Sequence, residues 1–279
     1  MLRKLIKYDL LADYKKYAAV YIAMLASSVL LLFFDKMTSW IKNNAFIDIM
    51  TMVFMFVFFT ITIISGVMLL VFSTIRFYKN IVRDEGYLTH TLPVSTWQLI
   101  ASKFISVYIW FFAMVIVTGI CSGIAFGEPF WLFKLNDAFG EISEVLMSED
   151  FAADDIKFVF LMLKYFAVFM LFSPFLAMSH IYFAFALGNL FNKSKLGMSV
   201  VMYFAVMFAE QIIGSVFAMF FYSDMITLVT ADPNSDFFTA QAADFFGKAM
   251  NFSLTAAIIF AIGYTIAAER IFAKKLNLE

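Results

Sequence analysis

Cysteine is almost absent from this chain. The single one, Cys121, lies within an apolar run, which excludes an internal disulfide framework and any cysteine-built zinc site within one copy. Histidine is nearly as scarce, with only His90 and His180, and no H-E-x-x-H, paired-cysteine or G-x-S-x-G pattern occurs. Hydrolytic and metal chemistry therefore have no constellation to rest on, and neither a catalytic residue nor a metal ligand is expected. No G-x-x-x-x-G-K-[ST] phosphate loop is present either, so energy from ATP would have to come through a partner. An excess of one charge sign is missing too: a net charge of -1 excludes whole-chain attraction to nucleic acid.

Apolar residues are what the chain has. They make up 63% of its 279 residues, and the mean hydropathy is +0.87, so lipid is the solvent for most of it. A helix needs about 20 residues to cross the roughly 30 Å hydrocarbon core. Six runs meet that length: 17–34, 49–75, 104–127, 165–192, 196–223 (interrupted by Glu210) and 249–268. The expected fold is an all-α integral membrane protein with six transmembrane helices, forming one permease domain over residues 1–279. No internal repeat or low-complexity linker divides it.

The apolar run that begins at Tyr17 follows Arg3, Lys4 and Lys7 but lacks a convincing cleavage site, so it reads as a retained span rather than a signal peptide. Ahead of it, Leu2, Leu5, Ile6 and Leu10 recur near helical spacing among basic residues. That pattern predicts an amphipathic interfacial helix over residues 1–16 that turns into the first span. Of the 20 Lys and Arg, only Lys36, Lys42, Lys134, Lys157, Lys164 and Lys248 fall on the side opposite the termini. The positive-inside rule then puts both ends in the cytoplasm, as an even span number requires. The segment 128–155 becomes an acidic outer loop, within which Leu135, Ala138, Phe139, Ile142 and Leu146 keep the spacing of a short helix.

The connection after the second span is richer than a plain loop. Gly86 turns the chain after Asp84 and Glu85, and Pro93 disfavours helix at Leu92. Ser95 with Gln98 forms a capping box, and Val94 with Leu99 a hydrophobic staple, so the third helix should begin here. Trp97 then falls at the membrane interface. The run Asp84-Glu85-Gly86-Tyr87-Leu88, followed by Thr91-Leu92-Pro93-Val94-Ser95, closely resembles the segment between spans two and three of type-2 ATP-binding-cassette (ABC) permeases of Gram-positive bacteria. The plan of an amphipathic amino-terminal helix followed by six spans is similar as well. The long acidic loop between spans three and four departs from that family, whose larger external part usually lies between spans five and six.

The resemblance implies a cytoplasmic coupling helix, here Val82, Arg83, Asp84, Glu85, Gly86, Tyr87, Leu88 and onward to His90, seated in a separate ABC ATPase subunit. It implies no cofactor in this chain, with ATP and Mg on that partner, and a second permease copy or paralogue completing the pathway. Membrane lipids are the remaining expected partner and nucleic acid is not one. The location implied is the bacterial cell (inner) membrane. The function implied is ATP-driven export of an amphiphilic substrate: a peptide, a drug or a lipid-like molecule.

Within the spans, Glu210 is the one acid deep in a run. Placing it there costs about 2.5 to 3.5 kcal/mol unless it faces a partner, a cavity or water. His180 lies about 12 residues before Asn192 and Glu210 about 14 after Leu196, so the two are expected at similar depth on consecutive antiparallel helices. Such a pair serves either as a static bond between helices or in substrate handling. Pro174, preceded by Ser173, should bend the fourth span. Gly119, Gly123 and Gly127 form a small-residue row suited to close helix approach. Three other classes compete with the ABC reading. One is an ion-coupled secondary transporter using Glu210, which would want a second intramembrane acid and paired broken helices. The others are a non-transporting membrane scaffold and a membrane-embedded enzyme.

Overall fold

The computed structural model describes residues 2–41, 44–82, 95–125, 153–191, 194–230 and 238–275. Among these the chain is helical throughout, without a strand. Helix α1 spans Leu2–Trp40, α2 Ala45–Phe77 with a wider π turn over Tyr78–Val82, and α3 Thr96–Ala125. Helix α4 spans Ala153–Gly188 and α5 Lys195–Ala218. A tight 3-10 turn, Met219–Phe221, leads to α6 at Tyr222–Thr230, and α7 covers Phe238–Lys275. Six of the described helical stretches are long and apolar enough to cross a membrane, and each overlaps one of the six apolar runs, although the third and fourth stretches end at Ala125 and Gly188, short of residues 127 and 192. Elsewhere the helices outrun the runs because backbone hydrogen bonding does not stop where charged flanks begin.

At the amino terminus the expected turn between an interfacial helix and the first span does not occur. Helix α1 passes unbroken through residues 16 and 17. Two acids of its first turns, Asp9 and Asp13, are buried among basic partners. Lys103 Nζ donates to Asp9 Oδ1 at 2.6 Å, and Arg76 donates to the same oxygen through Nε and Nη2 at 3.0 Å each. Asp13 pairs with Lys16 at 2.7 Å and with Arg76 at 3.4 Å. The proposed coupling segment lies mostly outside the described residues: Val82 closes the π turn, whereas Arg83, Asp84, Glu85, Gly86, Tyr87, Leu88 and His90 are not described. The short outer helix suggested over 135–146 and Gly127 also lie outside them. Helix α3 does begin directly after Ser95.

The chain divides into two compact units, residues 1–76 with 98–143 and residues 77–97 with 144–279. In the first, Met24 and Leu31 of α1, Phe58 of α2, and Cys121 and Ala125 of α3 form a buried apolar cluster. Toward the ion pairs, Tyr17 stacks on Trp110 with centroids 4.3 Å apart, and its hydroxyl shares a 3.3 Å hydrogen bond with Ser73. The Tyr21 hydroxyl donates to the Trp110 carbonyl at 3.0 Å. Aromatic residues therefore supply packing area and a polar tip at one place.

In the second unit α4 packs against both α5 and α7. The α4–α5 hairpin closes tightly at Gly188, where an added Cβ would meet the Ser199 backbone at 2.6 Å. Ser194 enters α5 with φ of 48°, a left-handed conformation that non-glycine residues adopt at a cost. Within this unit Phe77 stacks on Tyr182 at 3.7 Å and meets Phe272 edge-on. Pro174 sits inside α4, which continues across it. Proline leaves the carbonyl four residues earlier without its donor. That carbonyl belongs to Met170, and the Ser173 hydroxyl donates to it at 3.2 Å.

Candidate binding cavity

The hairpin joining α4 and α5 runs the two helices antiparallel from a common turn, so residues equally far from it stand side by side. His180 and Glu210 occupy such positions, and the structure brings them together: His180 Nδ1 is 3.5 Å from Glu210 Oε2. The imidazole is largely buried, with its side chain 14% exposed, while the carboxylate is 31% exposed. From α7, Tyr264 joins Glu210 and His180 in lining the same cavity, its ring centroid 5.7 Å from that of His180. Neither Tyr264 nor Tyr203, whose ring centroid is 4.9 Å from that of His180, was singled out by the sequence. An uncharged aromatic residue in an apolar run carries no mark of its own, and only a helix outside the hairpin could reveal Tyr264.

These groups stand at one end of a cavity of about 470 Å³ lined by α4, α5, α6 and α7. That volume falls within the range of about 300 to 1,000 Å³ typical of small-molecule sites. The space exists because small residues line it where two helices would otherwise fill it: Gly214 and Ala218 from α5, and Ala249, Ser253 and Ala257 from α7. A Cβ placed on Gly214 would meet nothing within 4 Å, which marks that flank as open. Phe217, Phe221, Phe252 and Phe260 supply apolar walls. The aromatic packing continues behind Tyr264, which stacks on Phe183 at 4.7 Å and on Phe260 at 6.0 Å.

One further polar atom bears on the site. His180 Nε2 is buried and has no hydrogen-bond partner among the described residues. If Nδ1 carries the proton directed at Glu210, Nε2 is an acceptor without a donor. A buried acceptor left unmatched is costly to the fold. In comparisons with family models, with curated proteins and with solved structures, nothing matches this chain. Its chemistry must therefore be argued from its own residues. Among the described residues no group of three or more His, Cys, Asp or Glu could hold a metal ion. What the arrangement can do is hold a molecule with a long apolar part and a polar or cationic end.

Proposed function

We propose that this chain is the membrane-spanning permease subunit of an ABC transporter that exports an amphiphilic substrate. The observation that carries the reading is the apolar cavity among membrane-length helices with Glu210, His180 and Tyr264 at one end. A carboxylate on an otherwise apolar helix is expensive in lipid and is retained where it faces a partner, a cavity or water. Here it faces a cavity of ligand size. The ABC assignment rests on the Asp84 to Ser95 segment, read as the coupling element for a separate ATPase, together with the lack of a phosphate loop in this chain. In this reading the termini and the 76–95 segment face the cytoplasm of a bacterial cell, ATP and Mg bind the partner, and a second permease copy or paralogue completes the pathway.

The test is co-expression of the tagged chain with an ATPase subunit encoded beside it, followed by reconstitution into vesicles. The expected result is co-purification of the two and ATP hydrolysis that rises when an amphiphile is added. Substrate movement driven by a proton gradient in vesicles without ATP would instead favour an ion-coupled carrier, a reading that the His180 and Glu210 pair also suits. Insertion without either activity would leave a membrane scaffold.

A further inference from the structure

We propose that the cavity is a site for a single-chain amphiphile with a protonated amine head, the ammonium seated at Glu210 and the hydrocarbon chain lying between α5 and α7. The inference narrows the substrate class of the transport reading and rests on it for biological meaning, but binding itself can be measured without an ATPase.

Shape is the first argument. The lining runs along α5 from Glu210 to Ala218 and on through Phe221 to Met225 in α6, a distance of roughly 20 Å at helical rise. On α7 it runs the opposite way, from Tyr264 back to Phe245. The space is therefore long, and at about 470 Å³ it is also narrow. A groove of this length admits an extended hydrocarbon chain. The small residues that open it, Gly214, Ala218, Ala249, Ser253 and Ala257, expose little polar surface to a ligand lying on them.

Charge is the second argument. The polar groups cluster at one end, and the charged acid among them is Glu210. A cation there pairs with the carboxylate, and the rings of Tyr264 and Phe260 beside it favour a cation over an anion through their negative faces. An alkyl sulfate or fatty acid would set like charge against Glu210.

The head thus meets a carboxylate and aromatic faces together, while the chain fills the apolar remainder.

The test uses the full chain in nanodiscs of zwitterionic lipid, with empty nanodiscs as the blank, and equilibrium dialysis of radiolabelled hexadecylamine, hexadecanol and hexadecyl sulfate. The unmodified chain should bind the amine at least about tenfold more tightly than the alcohol or the sulfate. Glu210→Gln should lose that preference, and Ala257→Phe should weaken the amine by filling the groove. Equal retention of the three ligands by the unmodified chain overturns the proposal even if a variant does not fold, as does a Glu210→Gln chain that keeps the preference. Failure here leaves the ATPase partnership standing, since co-purification tests that separately. Amine binding by a chain that joins no ATPase would retain the site and remove the transporter reading.

Discussion

At the residue scale, two positions have consequences out of proportion to their size. Gly188 lets α4 and α5 meet at their hairpin, and the obstruction a methyl group would face is the Ser199 backbone as well as its hydroxyl, so turning the side chain aside does not clear it. Gly188→Ala is therefore expected to destabilise the protein by about 1 to 3 kcal/mol or more, as overpacking does. Thermal unfolding in detergent should show it as a lowered transition, whereas Gly214→Ala, which meets open space, should leave the transition nearly unchanged. The second position is the His180 and Glu210 contact. Bonds between membrane helices average about 0.6 kcal/mol in double-mutant cycles, so the double alanine variant should cost less than the sum of the singles by about that amount. Strict additivity would mean the 3.5 Å approach contributes no coupling energy.

Elements show what a linear sequence reveals and what it hides. The six spans are legible because lipid demands long runs without charge, and each such run overlaps one membrane-length helix. The ends are not, because a helix continues past the hydrocarbon boundary wherever its flanks can be satisfied. Helix α1 is the sharpest instance. Its amino-terminal turns look like a surface element when Leu2, Leu5, Ile6 and Leu10 are read among their basic neighbours, yet Asp9 and Asp13 in the same turns pair with Arg76 and Lys103 far along the chain. No spacing rule connects residues brought together by tertiary folding. The hairpin pair was more accessible, because equal distance from a short turn implies equal depth. Tyr264, on a helix not adjacent in sequence, was not. The ion cluster also makes its own prediction: with Asp9 5% and Lys103 8% exposed, the Asp9 carboxylate is held by both Lys103 and Arg76, and the Lys103 ammonium is paired with Asp9. Removing one partner of a buried pair costs about 3 to 5 kcal/mol, so Asp9→Ala should lower stability strongly by leaving two cations facing each other. Lys103→Met should cost less, since Arg76 still reaches both acids. Denaturation of the two variants in the same micelles distinguishes these outcomes, and equal effects would show that Arg76 does not share the load.

For the whole molecule, the decisive question is which side of the membrane each connection occupies and what meets it there. In the orientation that the distribution of Lys and Arg predicts, the termini and the 76–95 connection face the cytoplasm and residue 144 faces outward. Single-cysteine variants made in a Cys121→Ser background and treated with an impermeant thiol reagent on intact cells should be labelled at position 144 and not at position 90. The opposite pattern would invert the topology and remove the ATPase reading with it, because cassette ATPases hydrolyse cytoplasmic ATP. Given the expected orientation, the next link is mechanical. The segment from Val82 to His90 combines apolar residues of buried type, Tyr87 and Leu88, with the charges of Arg83, Asp84 and Glu85, the mixture found where a polar rim surrounds an apolar contact. If it seats in the ATPase, Glu85→Arg should disturb the rim by reversing a charge, and Tyr87→Ala should remove an aromatic anchor of the kind that dominates interface energy. Both variants should insert into the membrane at the level of the unmodified chain. Both should lose co-purification with the ATPase or the stimulation of its hydrolysis by substrate, with Tyr87→Ala the more severe of the two. Variants that insert, bind the ATPase and couple normally would reduce this connection to an ordinary loop, and the energy source of the protein would then have to be sought at Glu210.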